Sequence, residues 1–212
     1  MSSSAPNLQS TTSILQQFLR DRTLSAQQIE QVRTYLELLL RWNARINLTA
    51  VREPAEILAR HFGESFFLAS SLIGADASYD FIDVGSGAGF PGLPSKIFAP
   101  AIKVTLIESN NKKATFLREV IRALTLIDIN VFAGRAQDFS GKADLVTMRA
   151  VEKFEDALPT AAALVRRTGR LAILIGVSQV ARARELVKSL KWEAPVTVPQ
   201  SRERVLLVGV NQ

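Results

Sequence analysis

Residues 81–92 are the part of the chain best suited to bind a ligand, and they read FIDVGSGAGFPG. A short apolar run ends in Asp83, and four glycines follow within nine residues. Because glycine tolerates positive φ and has no Cβ, this backbone can turn sharply at the end of a strand and approach a ligand closely. A second strand-like run ends in Glu108, nineteen residues after Gly89. That spacing suits a carboxylate that binds the hydroxyls of a nucleoside ribose.

Two classes of cofactor fit these glycines. Residues 87–92 match the G-x-G-x-x-G fingerprint of dinucleotide-binding proteins, although Pro91 stands where a helix should already turn. Residues 83–89 read D-x-G-x-G-x-G, the order typical of methyltransferases that use S-adenosylmethionine (SAM). Asp83 would attract the positive sulfonium and amino groups of SAM and would repel the pyrophosphate of a dinucleotide. We therefore favour SAM over a nicotinamide cofactor. A glycine-rich turn without a ligand is the third reading, disfavoured by the entropy needed to order it.

Composition narrows the range of chemistries. The 212 residues are 47% hydrophobic, enough for one large domain or one domain with a small appendage. The chain has no cysteine, which excludes disulfides, thiolate zinc sites and methyl transfer to cytosine C5 through a cysteine adduct. We expect no metal site. The first residues lack the features of a signal peptide, and no apolar run is long enough to span a membrane. These features predict a cytoplasmic protein with no membrane contact.

The positive charge is concentrated in one part of the chain. The net charge is +6, yet residues 1–79 hold 7 Lys and Arg against 7 Asp and Glu, whereas residues 80–212 hold 19 against 13. This basic half also carries residues 81–92, here called the glycine segment. A basic region around such a segment indicates a polyanionic partner such as RNA or DNA. A solvated surface without such a partner would also account for a charge of this size.

Hydrophobic periodicity divides the chain into two regions. A capping box at Ser25 and an apolar stripe predict a helix over 25–42, and Pro54 begins another amphipathic segment. From Tyr79 onward, strand-like and helical runs alternate, which predicts a mostly parallel, doubly wound α/β sheet. The last two runs are too close for a helical crossover and should pair antiparallel, a closing hairpin habitual in SAM-dependent methyltransferases. The seven predicted strands are 80–84, 103–108, 128–133, 144–148, 170–175, 195–198 and 204–210. We predict a flexible tail over 1–20, a helical region over 21–76 and a Rossmann-like domain over 77–212.

Arg149 follows the fourth predicted strand, where many amino-methylating enzymes carry an Asn/Asp-Pro-Pro-aromatic motif. An arginine stays charged and only donates hydrogen bonds, so it cannot accept one from an exocyclic amine. It suits an acceptor-rich target, such as the O6 and N7 edge of guanine, or a phosphate. A ring nitrogen with a lone pair needs no general base, so catalysis would rest on alignment and desolvation. A salt bridge that closes the fold is the alternative role for Arg149.

Further motifs follow in order between Trp42 and Ala150. They are Trp42-Asn43, Asn47-Leu48-Thr49-Ala50, Arg60-His61, the glycine segment, Glu108-Ser109, Lys112-Lys113, Phe116-Leu117-Arg118, Gly134-Arg135-Ala136 and Arg149-Ala150. Together they resemble the bacterial small-subunit rRNA guanine-N7 methyltransferases, also called glucose-inhibited division protein B. The resemblance implies a SAM-dependent enzyme that methylates N7 of one guanine of 16S rRNA, guanine 527 in the usual rRNA numbering. It also implies 16S rRNA or the small ribosomal subunit as partner, and we expect a monomer.

The resemblance also implies roles for single residues. SAM would contact the glycine segment, Glu108 would bind its ribose, and residues after the third strand would flank its adenine. The implied cofactor-binding residues are Asp83, Gly85, Ser86, Gly87, Gly89, Phe90, Glu108, Ala136, Gln137 and Arg149. Arg149, Asn47 and His61 would take part in catalysis. The implied RNA-binding residues are Lys112, Lys113, Arg135 and Arg204. For His61, a packing or capping role is an equal alternative.

Two departures from the family pattern stand out. The family usually has Asp-Ser three residues after the histidine, whereas this chain has Glu64-Ser65. Many members end the fifth strand in Lys-Gly, whereas this chain has Ile175-Gly176. Three other functions stay open: a small-molecule SAM methyltransferase, a nicotinamide-dependent oxidoreductase, and a module that binds SAM without catalysis.

Overall fold

The computed structural model describes residues 7–74 and 77–212. Its N-terminal part is helical, as the sequence predicts. The elements are α1 (Leu8–Gln16), α2 (Ala26–Ile46), α3 (Pro54–Ile57), a π-helical turn (Leu58–Gly63) and α4 (Glu64–Leu72).

Helix α2 shows why the N-terminal segment folds in this way. The Ser25 hydroxyl accepts from the Gln28 N–H, and the Gln28 side chain accepts from the Ser25 N–H, so the capping box is formed. The apolar stripe that includes Val32 and Leu39 is buried. The predicted helix is therefore confirmed, and it continues to Ile46.

The described residues 77–212 contain an eight-stranded sheet. The strands are β1 (Asp80–Val84), β2 (Lys103–Glu108), β3 (Ile129–Ala133), β4 (Ala143–Arg149), β5 (Val165–Gly176), β6 (Leu190–Trp192), β7 (Val196–Thr197) and β8 (Arg204–Asn211). The helices after them are α5 (Gly92–Phe98), α6 (Asn111–Ala123), α7 (Phe154–Ala163) and α8 (Val180–Leu186). The strand order is β3-β2-β1-β4-β5-β8-β6, and β7 also pairs with β8.

The predicted architecture is confirmed, with one strand more than expected. Strands β1 to β5 are parallel, and β8 runs antiparallel to β5, β6 and β7. The prediction of seven strands was wrong because it missed β6, which spans only Leu190–Trp192. Three residues are too short for an alternating pattern to stand out from its surroundings.

The N-terminal helices cover one face of the sheet, and α7 and α8 cover the other. One hydrophobic cluster joins residues of α2 and α4, such as Tyr35 and Phe66, to the sheet through Leu106. A second cluster joins the opposite face to residues of α7 and α8, such as Leu158 and Ala183. The chain thus follows the layered plan of doubly wound α/β proteins.

For residues 7–20, the structure corrects the prediction of a flexible tail over 1–20. Residues 1–6 lie outside the described residues, but α1 begins at Leu8, with Asn7 as its N-cap. Phe18 is buried, and its ring lies so close to Gly63 that a Cβ there would meet it at 2.6 Å. The apolar side chains of this segment pack into the core, which makes it part of the fold. The division into a helical region and a Rossmann-like domain at 76/77 stays a prediction. Within the described ranges, no helix is long and apolar enough to cross a membrane.

Candidate active site

A cavity of about 540 Å³ opens at the carboxyl ends of β1, β2 and β4. The strand order reverses between β1 and β4, and ligands of open α/β sheets bind at such a switch point. One side, the loop wall, consists of residues 83–92 and Glu108. The other side, the cap wall, consists of Thr49, His61, Glu64 and Arg149. Both walls contribute lining residues.

The glycines of the loop wall have different tasks. Gly85, Gly87 and Gly89 all have positive φ, at 67°, 57° and 95°, which explains why glycine is used there. At Gly87 a Cβ would meet no atom closer than 3.8 Å, so this residue faces open space in the cavity. At Gly89 a Cβ would collide with the hydroxyl of Tyr35 and the side chain of Leu93. The structure therefore places Gly89 against the core, whereas Gly85, Ser86, Gly87 and Phe90 line the cavity.

Asp83 supports the loop from behind and does not line the cavity. Its side chain is buried, and one carboxylate oxygen accepts from the Thr147 hydroxyl at 2.7 Å. The other accepts from the Gly92 N–H at 3.2 Å. Burial is the main reason why the pKa of Asp83 is raised to about 6, and its hydrogen bonds only partly oppose that rise. Because Asp83 is buried and is not part of the cavity lining, the geometry shows no direct contact between its carboxylate and the cavity, and its attraction for the charged groups of SAM stays a prediction.

Glu108, at the end of β2, is a carboxylate that lines the cavity, as does Glu152. One oxygen of Glu108 accepts from the Gly87 N–H at 2.8 Å, and the other accepts from the Asn110 N–H at 2.7 Å. A carboxylate offers about four acceptor sites, so two remain for further donors. The pair of ribose hydroxyls in SAM supplies such donors, and the residues present fit that cofactor at this position.

A second cavity of about 750 Å³ adjoins the first and shares Gly85, Ser109, Val151 and Glu152 with it. Ala136 and Gln137, in the short 3-10 helix after β3, line this second cavity, as does Arg135. Apolar side chains of Val84 and Ile107 form part of its wall. Charged side chains such as Glu152 and Asp156 complete the lining, and the contact of Ala136 and Gln137 with adenine, which the resemblance implies, stays a prediction.

In the cap wall, the segment after α2 is held by Asn43. The Asn43 side chain accepts from the Thr49 N–H at 2.9 Å and donates to the Thr49 carbonyl at 3.0 Å. The Thr49 hydroxyl oxygen lies 2.7 Å from Nε2 of His61 and accepts from the Val51 N–H at 3.1 Å. Thr49 and His61 both line the cavity, so Asn43 fixes a polar position of its surface.

Arg149 connects the end of β4 to the cap wall. It donates to one oxygen of Glu64 from Nε at 3.1 Å and from Nη2 at 3.0 Å. Nη2 also lies within hydrogen-bond distance of the Arg60 carbonyl (2.9 Å) and of Nδ1 of His61 (3.1 Å). The other oxygen of Glu64 lies 3.0 Å from Nε of Arg204. With side chains that are 8% and 4% exposed, Arg149 and Glu64 form a buried ion pair.

This ion-pair network keeps His61 neutral. Burial and the neighbouring positive charges of Arg149, Arg60 and Arg204 lower the pKa of His61 to about 3. Both ring nitrogens are engaged, one with Arg149 and one with Thr49. In this arrangement His61 positions its neighbours and is not available as a proton acceptor.

The structure does not bring every predicted residue to the cavity. Asn47 is exposed and ends α2 in the left-handed conformation (φ 48°), a backbone role that asparagine tolerates well. Lys112 and Lys113 begin α6, and only Lys113 lines the cavity. Arg204 lies beside Glu64, lining a separate cavity of about 460 Å³.

Sequence reasoning missed two residues of the site, Thr49 and Glu64. Thr49 belongs to a motif that carried the resemblance, but its type alone gave no reason to assign a role. Glu64 was noted only as a departure from the family pattern, although a lone acid that follows Arg60 and His61 in an otherwise apolar helical segment could have marked an ion pair.

Comparison with known proteins agrees with this geometry. A model of the family described as rRNA small subunit methyltransferase G (GidB) matches residues 28–205. The ribosomal RNA small subunit methyltransferase G of Roseiflexus sp. (strain RS-1) is 40% identical over 198 residues, which cover 87% of this chain and 84% of the relative. The protein of the same name from Chloroflexus aggregans is 38% identical over 198 residues, which cover 87% and 82%.

Solved structures support the fold. A SAM dependent methyltransferase from Aquifex aeolicus superposes with a TM-score of 0.61 at 15% identity, over 78% of this chain and 97% of that one. TrmN from Thermus thermophilus superposes with a TM-score of 0.60 at 18% identity, over 73% of this chain and 53% of TrmN. The predicted methyltransferase fold and the predicted family are confirmed, and SAM is the cofactor that this family implies. The matched segment includes both walls of the cavity, and the chain belongs to the rRNA small subunit methyltransferase G family.

Proposed function

We propose that this protein transfers the methyl group of SAM to N7 of one guanine in 16S rRNA. The observation that carries the proposal is the position of Glu108 and Arg149 in one cavity, at the ends of the two strands that flank β1. Neighbouring strands lie about 4.8 Å apart, so the ends of β2 and β4 are separated by about 10 Å. That distance leaves room for a nucleoside cofactor on one side and a target base on the other.

The loop wall would hold the cofactor. SAM supplies an electrophilic methyl group when it is bound. Glu108 is positioned to accept hydrogen bonds from ribose hydroxyls, and the open space at Gly87 lets the backbone approach the ligand. Ala136 and Gln137 would contact the adenine. Asp83 and Gly89 would act indirectly, because they shape the loop without reaching the cavity.

The cap wall would receive the base. N7 of guanine carries a lone pair, so its methylation needs alignment and exclusion of water but no proton acceptor. This agrees with a site in which His61 is neutral and fully engaged. Arg149 lines the cavity and only donates, so it suits the acceptor edge of guanine or a nearby phosphate.

Basic side chains near the two cavities would contact the RNA backbone. Lys113 lines the first cavity and Arg135 the second, while Lys112 is exposed beside them. Each phosphate contact should steepen the salt dependence of RNA binding. Arg204 would reach RNA from the cavity beside Glu64. A monomeric state, a cytoplasmic location and the choice between free 16S rRNA and the small subunit stay predictions.

The test is transfer of labelled methyl from SAM to 16S rRNA that lacks its own N7-methylguanosine, both as naked RNA and within small subunits. We expect N7-methylguanosine at one position in at least one of the two forms, identified by nucleoside analysis and mapping. Label in another nucleoside would overturn the assignment to N7. Absence of label from both RNA forms would overturn the RNA substrate and favour a small-molecule methyltransferase.

A further inference from the structure

We propose that Thr49 donates a hydrogen bond to O6 of the target guanine and so distinguishes guanine from adenine. This inference rests on the proposed function and adds a specificity-determining residue to it. It follows from the direction of the hydrogen bonds in the cap wall, from the place of Thr49 in the cavity and from the chemistry of the two purines.

The direction of the hydrogen bonds is fixed at Arg149. Nη2 of Arg149 shares its two protons among Glu64, the Arg60 carbonyl and Nδ1 of His61, which lies 3.1 Å away. A guanidinium has only N–H donors, so a protonated Nδ1 would face another donor, and the favourable tautomer is the one in which Nδ1 accepts. The neutral imidazole then carries its proton on Nε2. Nε2 lies 2.7 Å from the Thr49 hydroxyl oxygen and therefore donates to it.

This leaves the Thr49 hydroxyl with one kind of hydrogen bond still to make. A hydroxyl has two acceptor lone pairs and one donor proton. Nε2 of His61 occupies one lone pair, and the Val51 N–H, at 3.1 Å, occupies the other. Within the described part of the chain, the contacts of this hydroxyl use its oxygen only as an acceptor. Its proton is therefore free to donate to a ligand.

Thr49 is held at the surface of the cavity. Asn43 is buried and bonds both the N–H and the carbonyl of Thr49, so the backbone is fixed on both sides. Thr49 lines the same cavity as Arg149 and Phe90, next to His61. A donor fixed in this way favours a ligand that presents an acceptor at that position and disfavours one that presents a donor.

Guanine and adenine differ in the exocyclic group on C6, which lies on the same edge of the base as N7. Guanine presents the O6 acceptor there, whereas adenine presents an N6 amino group, which donates. An adenine placed with N7 at the reacting position would bring its amino group against the Thr49 proton. The amino group and the Thr49 hydroxyl would then both be donors with no acceptor, which is costly in a site that excludes water.

The experiment is a double-mutant cycle between the enzyme and the base. Wild type and Thr49→Val are compared on 16S rRNA that carries either guanine or 2-aminopurine at the target position. 2-Aminopurine keeps N7 but lacks O6. Thr49→Ser, which keeps the hydroxyl, is the matched control. Thermal unfolding and SAM affinity by calorimetry are measured for each variant.

The preference for guanine is the ratio of kcat/KM on guanine to kcat/KM on 2-aminopurine. We expect this ratio to be about tenfold larger in wild type than in Thr49→Val, which is the effect expected of one hydrogen bond. Thr49→Ser should keep the preference of wild type, and SAM affinity should be equal in all three proteins. An equal preference in wild type and Thr49→Val would overturn the role of Thr49. Lower SAM affinity in Thr49→Val would also overturn it, because the hydroxyl would then serve the cofactor.

The two proposals can fail separately. Absence of transfer by wild type to guanine-containing RNA would overturn the proposed function itself. Transfer to guanine with no loss on 2-aminopurine would overturn only the contact to O6, and this comparison uses wild type alone. The conclusion therefore does not depend on whether Thr49→Val folds well.

Discussion

The loop wall and the cap wall of the cavity differ in what holds them in place. In the loop wall, backbone N–H groups of Gly87 and Gly92 donate to the carboxylates of Glu108 and Asp83. In the cap wall, side chains hold one another through the network around Arg149. The first arrangement needs one short segment and two acids, whereas the second needs side chains from distant parts of the chain.

The two walls also differ in charge, and the difference agrees with their proposed ligands. The loop wall exposes the carboxylate of Glu108, which suits hydroxyl donors and a cationic cofactor. Arg149 of the cap wall and Arg204 beside it share the one carboxylate of Glu64, so the positive charges outnumber the negative one there. Such a wall suits an acceptor-rich, anionic ligand such as RNA. A variant that weakens one wall should therefore leave the task of the other unchanged.

The largest effect is expected at the ion pair of the cap wall. Arg149→Ala leaves the buried Glu64 with Arg204 as its remaining ion-pair partner and leaves Nδ1 of His61 without a donor. Loss of one member of a buried pair costs about 3–5 kcal/mol in the free energy of unfolding, and we expect the lower end of that range because Arg204 still faces Glu64. Urea denaturation measures the loss, and calorimetry should show unchanged SAM affinity. The double variant Arg149→Ala, Glu64→Ala should lose less than the sum of the single variants. A stability loss below about 1 kcal/mol would contradict the account of this pair.

The next effect concerns Asp83 behind the loop wall. Its pKa is raised to about 6 in the folded protein from an ordinary value of 3.8, so the folded state binds the proton more tightly. Proton binding at Asp83 therefore adds to the free energy of unfolding. This contribution is complete below pH 3.8 and is lost as the pH rises through 6. The free energy of unfolding of wild type minus that of Asp83→Asn should rise by about 2 kcal/mol from pH 7 to pH 4.

The difference between the two proteins isolates Asp83. His61 acts with the opposite sign, because its lowered pKa removes stability as the pH falls below its ordinary value of 6.5 towards 3. That contribution is common to wild type and Asp83→Asn and cancels in the difference. Chemical denaturation at several pH values measures both proteins, and a difference that does not change with pH would refute the buried position of Asp83.

A smaller effect is expected at Glu108, the ligand-facing acid of the loop wall. Glu108→Gln removes the charge and replaces one acceptor oxygen by an amide donor. We expect about 1.5 kcal/mol weaker SAM binding, which is about tenfold, because hydrogen bonds to a charged group are lost. Calorimetry measures the affinity. Glu30→Gln is the matched control, because it makes the same charge change on α2, where Glu30 pairs with Arg33. This variant should leave the affinity for SAM unchanged. Equal affinity in all three proteins would refute the ribose role of Glu108.

The smallest effect concerns Tyr35, which joins α2 to the loop wall. Its hydroxyl donates to the Ala88 carbonyl, and its ring stacks on Phe90 with centroids 5.3 Å apart. Tyr35→Phe should cost about 1 kcal/mol in the free energy of unfolding, because a buried carbonyl loses its donor. Tyr79→Phe is the matched control, since the buried Tyr79 hydroxyl has no hydrogen-bond partner among the described residues. Equal losses in both variants, measured by thermal unfolding, would show that the Tyr35 hydrogen bond contributes nothing.

The sequence predicted the loop wall more completely than the cap wall, of which it indicated Arg149 and His61 but neither Thr49 nor Glu64. The glycines and the strand-ending acids are local patterns, so the fold, the loop and the position of Glu108 followed from them. The inward direction of Asp83 and Gly89 could not be predicted from these patterns, because a motif does not show which side of a turn faces the core. The pairing of Glu64 with Arg149 joins positions 85 residues apart. Only the packing of the helical region on the sheet brings them together.

The most direct test of the division between the walls is amide hydrogen exchange of wild type with and without SAM. The account predicts that SAM slows exchange most in peptides that cover 84–92 and 107–113, where the loop wall would bind the cofactor. Peptides that cover 43–64 of the helical region should change less. Protection that is greatest in 43–64, with none in 84–92, would contradict the assignment of SAM to the loop wall.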